Sequence, residues 1–176
     1  MRRIIVEGVD GSGKTSLIEL LQSLYPLTVV RNRLEDKQKF SEWWPEILTL
    51  SPAPGKMWIH DRFFYSELVY GPVIRGKVNA SQQLIYDISE ELRKDAFLIY
   101  CRPPYLTVFD NVENGEHMAG VQEKIYELTV AYDELMGKLS TQFSKRFFMY
   151  NYRNPDAFPT LQTMLDRYVE KAHAVQ

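Results

Sequence analysis

Short continuous apolar runs alternate along the chain with stretches in which apolar residues recur every three or four positions. The runs predict five strands, at residues 3–6, 28–30, 57–60, 96–101 and 146–150. Because the runs contain almost no polar alternation, we expect strands that are buried on both faces, as in a parallel sheet.

Three stretches between and after these runs have helical spacing. Their apolar positions, which we interpret as core faces, are Leu17, Leu20, Leu21 and Leu24; Val121, Ile125, Leu128, Tyr132, Leu135 and Leu139; and, in a helix that opens near Pro159, Leu161, Met164, Leu165, Tyr168 and Val169. Alternating strands and helices predict an α/β fold, a parallel sheet with helices on both faces. At 176 residues, the chain has the length of a single domain, spanning 1–176.

Two segments are loops by composition. Residues 51–55 are rich in proline, and residues 111–120 are polar and contain Gly115 and Gly120. Because the second loop lies between helical stretches, we interpret 111–120 as a candidate lid.

Composition narrows the range of partners. The chain has 21 basic and 23 acidic residues, a formal charge of −2, with no basic run, so neither a nucleic-acid nor a membrane surface is indicated. A small-molecule substrate is expected instead. Cys101 is the only cysteine, which excludes an intramolecular disulfide. No apolar stretch reaches membrane-spanning length and the first residues lead into a strand, so a cytoplasmic protein is expected.

Residues 8–15 carry the strongest chemical signal. Gly8-Val9-Asp10-Gly11-Ser12-Gly13-Lys14-Thr15 matches the phosphate-loop pattern G-x-x-x-x-G-K-[ST], after a strand and before a helix. In this pattern small residues let backbone N–H groups turn inward around phosphates at the positive end of the helix. The residues predicted to hold a nucleoside triphosphate are Gly8, Gly11, Ser12, Gly13, Lys14, Thr15 and Ser16. Lys14 would bind the β and γ phosphates, and the Thr15 hydroxyl would ligate Mg²⁺.

A second pair of charged residues follows the third predicted strand. Asp61 would project from the carboxyl end of that strand, where open parallel sheets bind ligands, and Arg62 follows directly. We predict that Asp61 supports Mg²⁺ and that Arg62 binds an anion. A surface salt bridge, or a helix cap formed by Asp61, is the structural alternative.

The loop from Glu7 to Thr15, together with Asp61-Arg62-Phe63, resembles the thymidylate kinases, a branch of the nucleoside monophosphate kinases. The likeness covers about the first 75 residues and implies the P-loop kinase fold with a five-stranded parallel sheet. It also implies phosphoryl transfer from ATP, with Mg²⁺, to a deoxynucleoside monophosphate. The short chain and the stretch 65–76 favour a divergent member, and a phage origin would fit them. Members of the family often dimerise, and Trp43-Trp44 would suit a homodimer face or the core.

The resemblance also implies roles for single residues. Asp10 would lie beside the acceptor sugar and Arg62 would clamp the acceptor phosphate. A second acceptor contact is expected from Arg75, in the helical region that follows, and another from Arg31 or Arg33, just beyond the second predicted strand. A ring that stacks on the acceptor base is expected from Phe63, Phe64 or Tyr65.

The chain departs from the family in its catalytic cations. Thymidylate kinases place an arginine in the phosphate loop or several in the lid, whereas residues 9–12 and 111–120 contain neither lysine nor arginine. Transferred phosphoryl groups need positive charge around them. Of the flanking cations Arg102 and Lys124, we predict that Arg102 serves, alongside Lys14, Asp61 and Arg62. His60 and His117 are interpreted as satisfied or solvated imidazoles.

The leading functional hypothesis is a Mg²⁺- and ATP-dependent deoxynucleoside monophosphate kinase acting on dTMP, with adenine recognised by residues 151–155. The rival enzyme is a deoxynucleoside kinase, which needs a carboxylate base for a sugar hydroxyl; Glu7 and Glu35 are the candidates. A nucleotide-dependent switch is the alternative from another class, although the chain lacks an Asn-Lys-x-Asp guanine motif.

Overall fold

The computed structural model describes residues 3–31 and 54–173. Their centre is a five-stranded parallel sheet in the order β2-β3-β1-β4-β5. The strands are β1 (Arg3–Glu7), β2 (Leu27–Arg31), β3 (Met57–Asp61), β4 (Phe97–Cys101) and β5 (Phe147–Tyr150). Each end lies within one residue of the predicted end, so the α/β class and the strand count are confirmed.

Within the described residues, six α-helices cover the two faces of the sheet. They are α1 (Lys14–Leu24), α2 (Phe64–Tyr70), α3 (Gln82–Asp95), α4 (Tyr105–Glu113), α5 (Ile125–Phe143) and α6 (Ala157–His173). A π-helical turn, Gly71–Arg75, extends α2, and a 3₁₀ turn, Ser144–Arg146, precedes β5. Apolar residues of α1 and α6 form one core layer, and those of α2 to α5 form the other.

The central strand β1 shows why a parallel sheet suits this sequence. It pairs with β3 on one side and β4 on the other, and all five of its residues are buried. Ile4 and Val6 face α1 and α6, whereas Ile5 packs in the opposite layer. Both faces of the strand therefore need apolar side chains, which explains the absence of polar alternation.

Several predicted boundaries shift. The expected lid loop does not begin at residue 111, because residues 111–113 form the last turn of α4 and the irregular segment runs from 114 to 124. The helix expected from Val121 begins at Ile125, and the last helix begins at Ala157 rather than near Pro159. Residues 51–53, Trp43 and Trp44 lie outside the described residues.

The sheet order places three functional segments side by side. The carboxyl ends of β3, β1 and β4 are adjacent, so Asp61, the phosphate loop and Arg102 share one edge of the sheet. Within residues 3–31 and 54–173, no helix combines the length and apolar character needed to cross a bilayer.

Candidate functional site

The phosphate loop connects β1 to α1 and adopts the backbone that its glycines permit. Gly11 and Gly13 have φ of 73° and 85°, in the left-handed region that disfavours other residues. Gly13 precedes α1, and no side chain caps the first N–H groups of that helix. These groups are thus available to an anion at the positive end of the helix.

Lys14 is buried beneath this loop. Its ammonium donates hydrogen bonds to the Val9 carbonyl at 2.6 Å and, at 3.5 Å, to the Ser12 hydroxyl. Burial, reinforced by the nearby positive charge of Arg62, lowers the pKa of Lys14 to about 8. A phosphate group at this position would restore the charged form.

Asp61 ends β3 on the α1 side of the sheet. It follows the alternation of Met57 and Ile59, which pack against α1, and its negative charge acts on Lys14. Thr15 is exposed in the first turn of α1. In the described ranges no group of three or more His, Cys, Asp or Glu could hold a metal. Thr15 and Asp61 remain the two oxygen donors that the sequence predicts for Mg²⁺, which proteins commonly bind through one or two side chains together with substrate phosphates.

Arg62 turns the chain away from the strand. Its φ is 64°, its backbone N–H donates to the Val6 carbonyl at 3.0 Å, and its guanidinium donates to Asp10 Oδ1 at 2.5 Å. The guanidinium carbon also lies 4.8 Å from the centre of the Tyr70 ring. The side chain is held in place from two directions beside the phosphate loop.

Asp10 completes this arrangement. Its Oδ2 accepts a hydrogen bond from the Tyr70 hydroxyl at 2.8 Å, and the same hydroxyl accepts one from the Asp10 N–H at 3.2 Å. Burial alone would raise the pKa of Asp10, but the charges of Arg62 and Lys14 and the Tyr70 hydrogen bond lower it below its ordinary value. The carboxylate is therefore ionised at neutral pH.

Glu7 lies on the other face of the sheet and is fully buried. Its Oε1 accepts the Phe63 N–H at 2.8 Å, and its Oε2 accepts the hydroxyl groups of Ser66 at 2.7 Å and Tyr132 at 3.1 Å. Burial raises its pKa. With its oxygens occupied and no exposed surface, Glu7 is a structural group and not the hydroxyl base considered from sequence. The other candidate, Glu35, lies outside the described residues.

The aromatic residues after Arg62 are buried in the core, which corrects the stacking prediction. Phe63 is 2% exposed and packs edge-on against His60, with 4.5 Å between ring centres. Phe64 and Tyr65 are buried in the same core layer. The physical reason is the turn of the backbone at Arg62. This turn directs the Phe63 N–H toward Glu7 and the Phe63 ring into the core.

The remaining arginines expected at the acceptor side differ in placement. Arg75 ends the π-helical turn and forms an ion pair with the buried carboxylate of Glu67, which also accepts the Asn79 N–H at 2.9 Å. Arg31 is exposed at the end of β2, in register with Asp61. Arg33 lies outside the described residues.

The cations beside the expected lid are engaged. The Arg102 guanidinium donates hydrogen bonds to both carboxylate oxygens of Asp133, each at 2.8 Å, and the Lys124 ammonium donates to the Val73 carbonyl at 2.7 Å. The backbone before Arg102 touches the phosphate loop, since a Cβ at Gly8 would lie 2.7 Å from the Cys101 carbonyl. The backbone of Arg102 therefore lies next to the phosphate loop, although the guanidinium points toward Asp133.

The histidines differ from each other. His60 is fully buried, and burial together with the charge of Arg3 lowers its pKa to about 3, so it is neutral. His117 lies in the irregular segment after α4.

Sequence reasoning missed two polar residues at the loop. The side-chain amide of Asn111 donates to the Gly11 carbonyl at 2.8 Å and to the Tyr152 hydroxyl at 3.1 Å. Tyr70 was missed as well, as a partner of Asp10 and Arg62. No local motif marks these residues, because each contact joins segments that are far apart in the sequence.

The sheet order, the phosphate loop and the acid at the end of β3 define a P-loop kinase fold. No protein-family model matches the sequence, and no match was found among curated proteins. Solved structures do match. The Bacillus subtilis YorR protein, solved in complex with phosphorylated GDP, is 17% identical, with a TM-score of 0.71 over 97% of this chain and 98% of that one.

Two named kinases share the same architecture. Deoxyadenosine kinase from M. mycoides with bound dATP is 15% identical, with a TM-score of 0.60 over 93% of this chain and 98% of that one. Polyphosphate kinase 2 from Arthrobacter aurescens TC1 is 13% identical, with a TM-score of 0.69 over 97% of this chain and 68% of that one. At these identities the likeness establishes the fold, and the activity must be argued from the site.

Proposed function

We propose that this protein transfers the γ-phosphoryl group of ATP to the phosphate of a deoxynucleoside monophosphate, with dTMP as the favoured acceptor. The observation that carries the proposal is the pairing of Arg62 with Asp10 beside the phosphate loop. A fixed guanidinium suits a phosphate, and an ionised carboxylate next to it suits a sugar hydroxyl. A nucleoside monophosphate offers both groups in one molecule.

The donor side of the proposal rests on the loop. The N–H groups at the start of α1 and the Lys14 ammonium would hold the triphosphate. Thr15 and Asp61 would hold Mg²⁺, which when bound withdraws charge from the phosphates. Lys14 would exchange its hydrogen bond to the Val9 carbonyl for phosphate oxygens.

The reaction needs no protein nucleophile. An oxygen of the acceptor phosphate forms a bond to the γ-phosphorus while the bond from that phosphorus to the β,γ-bridging oxygen breaks, and ADP leaves with the electron pair. Acceptor phosphates are already ionised at neutral pH, so no base is required either. Arg62 would orient the attacking phosphate, and Lys14 would balance the charge on the donor.

Arg102 is proposed as the additional cation of the transition state. Its ion pair with Asp133 is partly solvated, with the side chains 22% and 42% exposed. Such ion pairs contribute only about 0–1 kcal/mol to stability, so the Arg102 guanidinium could exchange the Asp133 carboxylate for an oxygen of the transferred phosphoryl group. An arginine that contacts the transferring group contributes a much larger factor, about 10³–10⁵ in rate.

A deoxynucleoside kinase is the second candidate function. The observation that favours it is the Asp10 carboxylate, which is 26% exposed and would accept the proton of a sugar hydroxyl. The deoxyadenosine kinase of M. mycoides has the same fold. The charges that lower the pKa of Asp10 make it a weak base, and this favours the monophosphate as acceptor.

The test is phosphoryl transfer by the purified protein with Mg²⁺ and ATP. Parallel reactions contain dTMP, dUMP, dCMP, dGMP, dAMP or the corresponding nucleosides, and products are separated chromatographically. Diphosphates that form with wild-type protein but not with Lys14→Ala support the proposal and identify the base. Monophosphates formed only from nucleosides establish the second candidate, and ATP hydrolysis that ignores every acceptor contradicts both.

A further inference from the structure

The side chain of Asn111 joins three segments that are distant in sequence. It projects from the last turn of α4, and its amide nitrogen donates to the Gly11 carbonyl of the phosphate loop at 2.8 Å. The same nitrogen donates to the hydroxyl of Tyr152, in the loop after β5, at 3.1 Å. We refer to Asn111 and Tyr152 together as the clasp.

The first contact fixes a peptide plane of the phosphate loop. The carbonyl of Gly11 belongs to the same peptide unit as the N–H of Ser12, and the two groups point in opposite directions. On the outer side the carbonyl is held by Asn111, and on the inner side the Ser12 N–H donates to the Val9 carbonyl at 3.3 Å. That Val9 carbonyl also accepts the Lys14 ammonium. The orientation of one peptide plane is therefore linked to the position of the phosphate-binding lysine.

The clasp also packs directly on two glycines. A Cβ at Gly11 would lie 3.0 Å from the Asn111 Cβ, and a Cβ at Gly13 would lie 2.9 Å from Cδ1 of the Tyr152 ring. Gly13 is the residue that precedes α1, whose first N–H groups are capped by no side chain. Tyr152 is 37% exposed, so the ring covers the loop while part of it stays accessible.

We propose that the clasp holds the phosphate loop in the conformation that receives the donor triphosphate, with Asn111 as a positioning residue. The proposal rests on the proposed function, because it takes ATP as the donor. Asn111 bonds to a loop carbonyl and acts on the phosphates through the loop. The acceptor groups Asp10 and Arg62 are held separately, by Tyr70 and by each other, so the clasp affects donor binding and leaves acceptor binding unchanged.

Binding measurements test this without relying on turnover. Calorimetry with Mg²⁺ and a non-hydrolysable ATP analogue, with inorganic tripolyphosphate, and with dTMP is carried out on wild-type protein and on Asn111→Ala, Tyr152→Phe and Asn114→Ala. Asn114 is the matched control, since its amide donates only to the Asp110 carbonyl within the end of α4, at 2.7 Å. The two hydrogen bonds that Asn111→Ala removes both lie at the exposed surface, and together their loss corresponds to about a tenfold change in affinity.

The expected result is that Asn111→Ala weakens both the ATP analogue and tripolyphosphate by about tenfold, because both depend on the loop. Affinity for dTMP and all affinities of Asn114→Ala stay at the wild-type level. Tyr152→Phe, which keeps the ring, weakens the analogue by a smaller factor and adds nothing when combined with Asn111→Ala. This conservative variant keeps the test valid if Asn111→Ala does not fold.

Two results overturn the inference. Either the donor affinity of a folded Asn111→Ala protein equals that of the wild type, or the affinity for dTMP falls by the same factor as the donor affinity, which would show a general structural effect. Transfer by the wild-type protein is measured separately. If the wild type transfers phosphate but the Asn111→Ala protein binds the donor normally, only the inference about the clasp is contradicted. If the wild type binds neither donor ligand, the proposed function is contradicted as well.

Discussion

Arg62 donates a hydrogen bond to Asp10 at 2.5 Å and brings the end of β3 against the phosphate loop. If this guanidinium binds the acceptor phosphate, Arg62→Ala should raise the KM for the acceptor by about 10–150-fold, the value of one charged hydrogen bond. The KM for ATP should change much less. Steady-state kinetics with each substrate varied in turn measures both, and Arg167→Ala, an exposed position on α6, is the control. An effect confined to ATP would reassign Arg62 to the donor.

The lowered pKa of Lys14 predicts proton uptake on donor binding. With a pKa of about 8, the free amine is largely neutral at pH 9, and bound phosphates would recharge it. Calorimetry of the ATP analogue at pH 9, in buffers of different ionisation enthalpy, should show uptake of nearly one proton, and at pH 7 much less. Donor affinity should fall as the pH rises above 8. Binding at pH 9 without proton uptake would show that Lys14 stays charged in the free protein.

The packing of Gly11 predicts that an arginine cannot be accommodated at this position of the phosphate loop. A Cβ there would lie 3.0 Å from the Val108 carbonyl, and the φ of 73° disfavours any side chain. Gly11→Arg should lower the free energy of unfolding by about 2–4 kcal/mol, measured by urea denaturation. The control is Gly137→Ala in α5, where a Cβ meets nothing within 4 Å; it should stabilise the protein by about 0.5–1 kcal/mol. A stable Gly11→Arg protein with higher kcat would contradict this interpretation.

Arg102 and Asp133 form a pair whose two members should behave differently. Arg102→Ala should lower kcat on the order of 10³-fold with little change in either KM, because an arginine at the transferring group acts mainly in the transition state. Asp133→Ala should lower kcat far less than Arg102→Ala, because the contacts of Asp133 are to the guanidinium and to the Tyr100 hydroxyl. Equal losses in the two variants, from single-turnover measurements, would make the pair structural.

The buried carboxylate of Glu7 predicts a pH-dependent stability. Burial raises its folded pKa above the unfolded value of 4.5, so the folded state holds the proton more tightly. Its stabilising effect is full below pH 4.5 and is lost as the pH rises through the folded pKa, by at most about 1.4 kcal/mol per pH unit. Glu7→Gln removes this dependence and accommodates the same hydroxyl partners. Urea denaturation of both proteins across pH 5–8 should show the variant gaining stability relative to the wild type, and parallel profiles would contradict the prediction.

The strands and the phosphate loop could be predicted because their signals are local. Continuous apolar runs identified all five strands, and residues 8–15 carry their own spacing. The order β2-β3-β1-β4-β5 did not follow from periodicity, since it depends on which helices cross over each face. The position of Asp61 and Arg62 at the end of a strand could be predicted because they directly follow an apolar run.

The contacts around the loop were beyond local reasoning. Asn111 looked like the first residue of a flexible lid, yet it ends a helix that packs on Gly11. One of Phe63, Phe64 and Tyr65 was expected to stack on the acceptor base, but the chain turns at Arg62 and all three rings are buried in the core. Tertiary packing decides such cases, and a pattern read along the chain does not contain it.

The left-handed backbone at Arg62 has a further consequence. A side chain other than glycine at this φ costs about 1–2 kcal/mol, so the protein gives up stability to place a guanidinium at this corner of the sheet. Arg62→Gly would relieve this backbone cost, but it would also remove the ion pair with Asp10 and the contact with the Tyr70 ring. The contacts of one side chain therefore offset the cost of the backbone that presents it, and neither can be changed without the other.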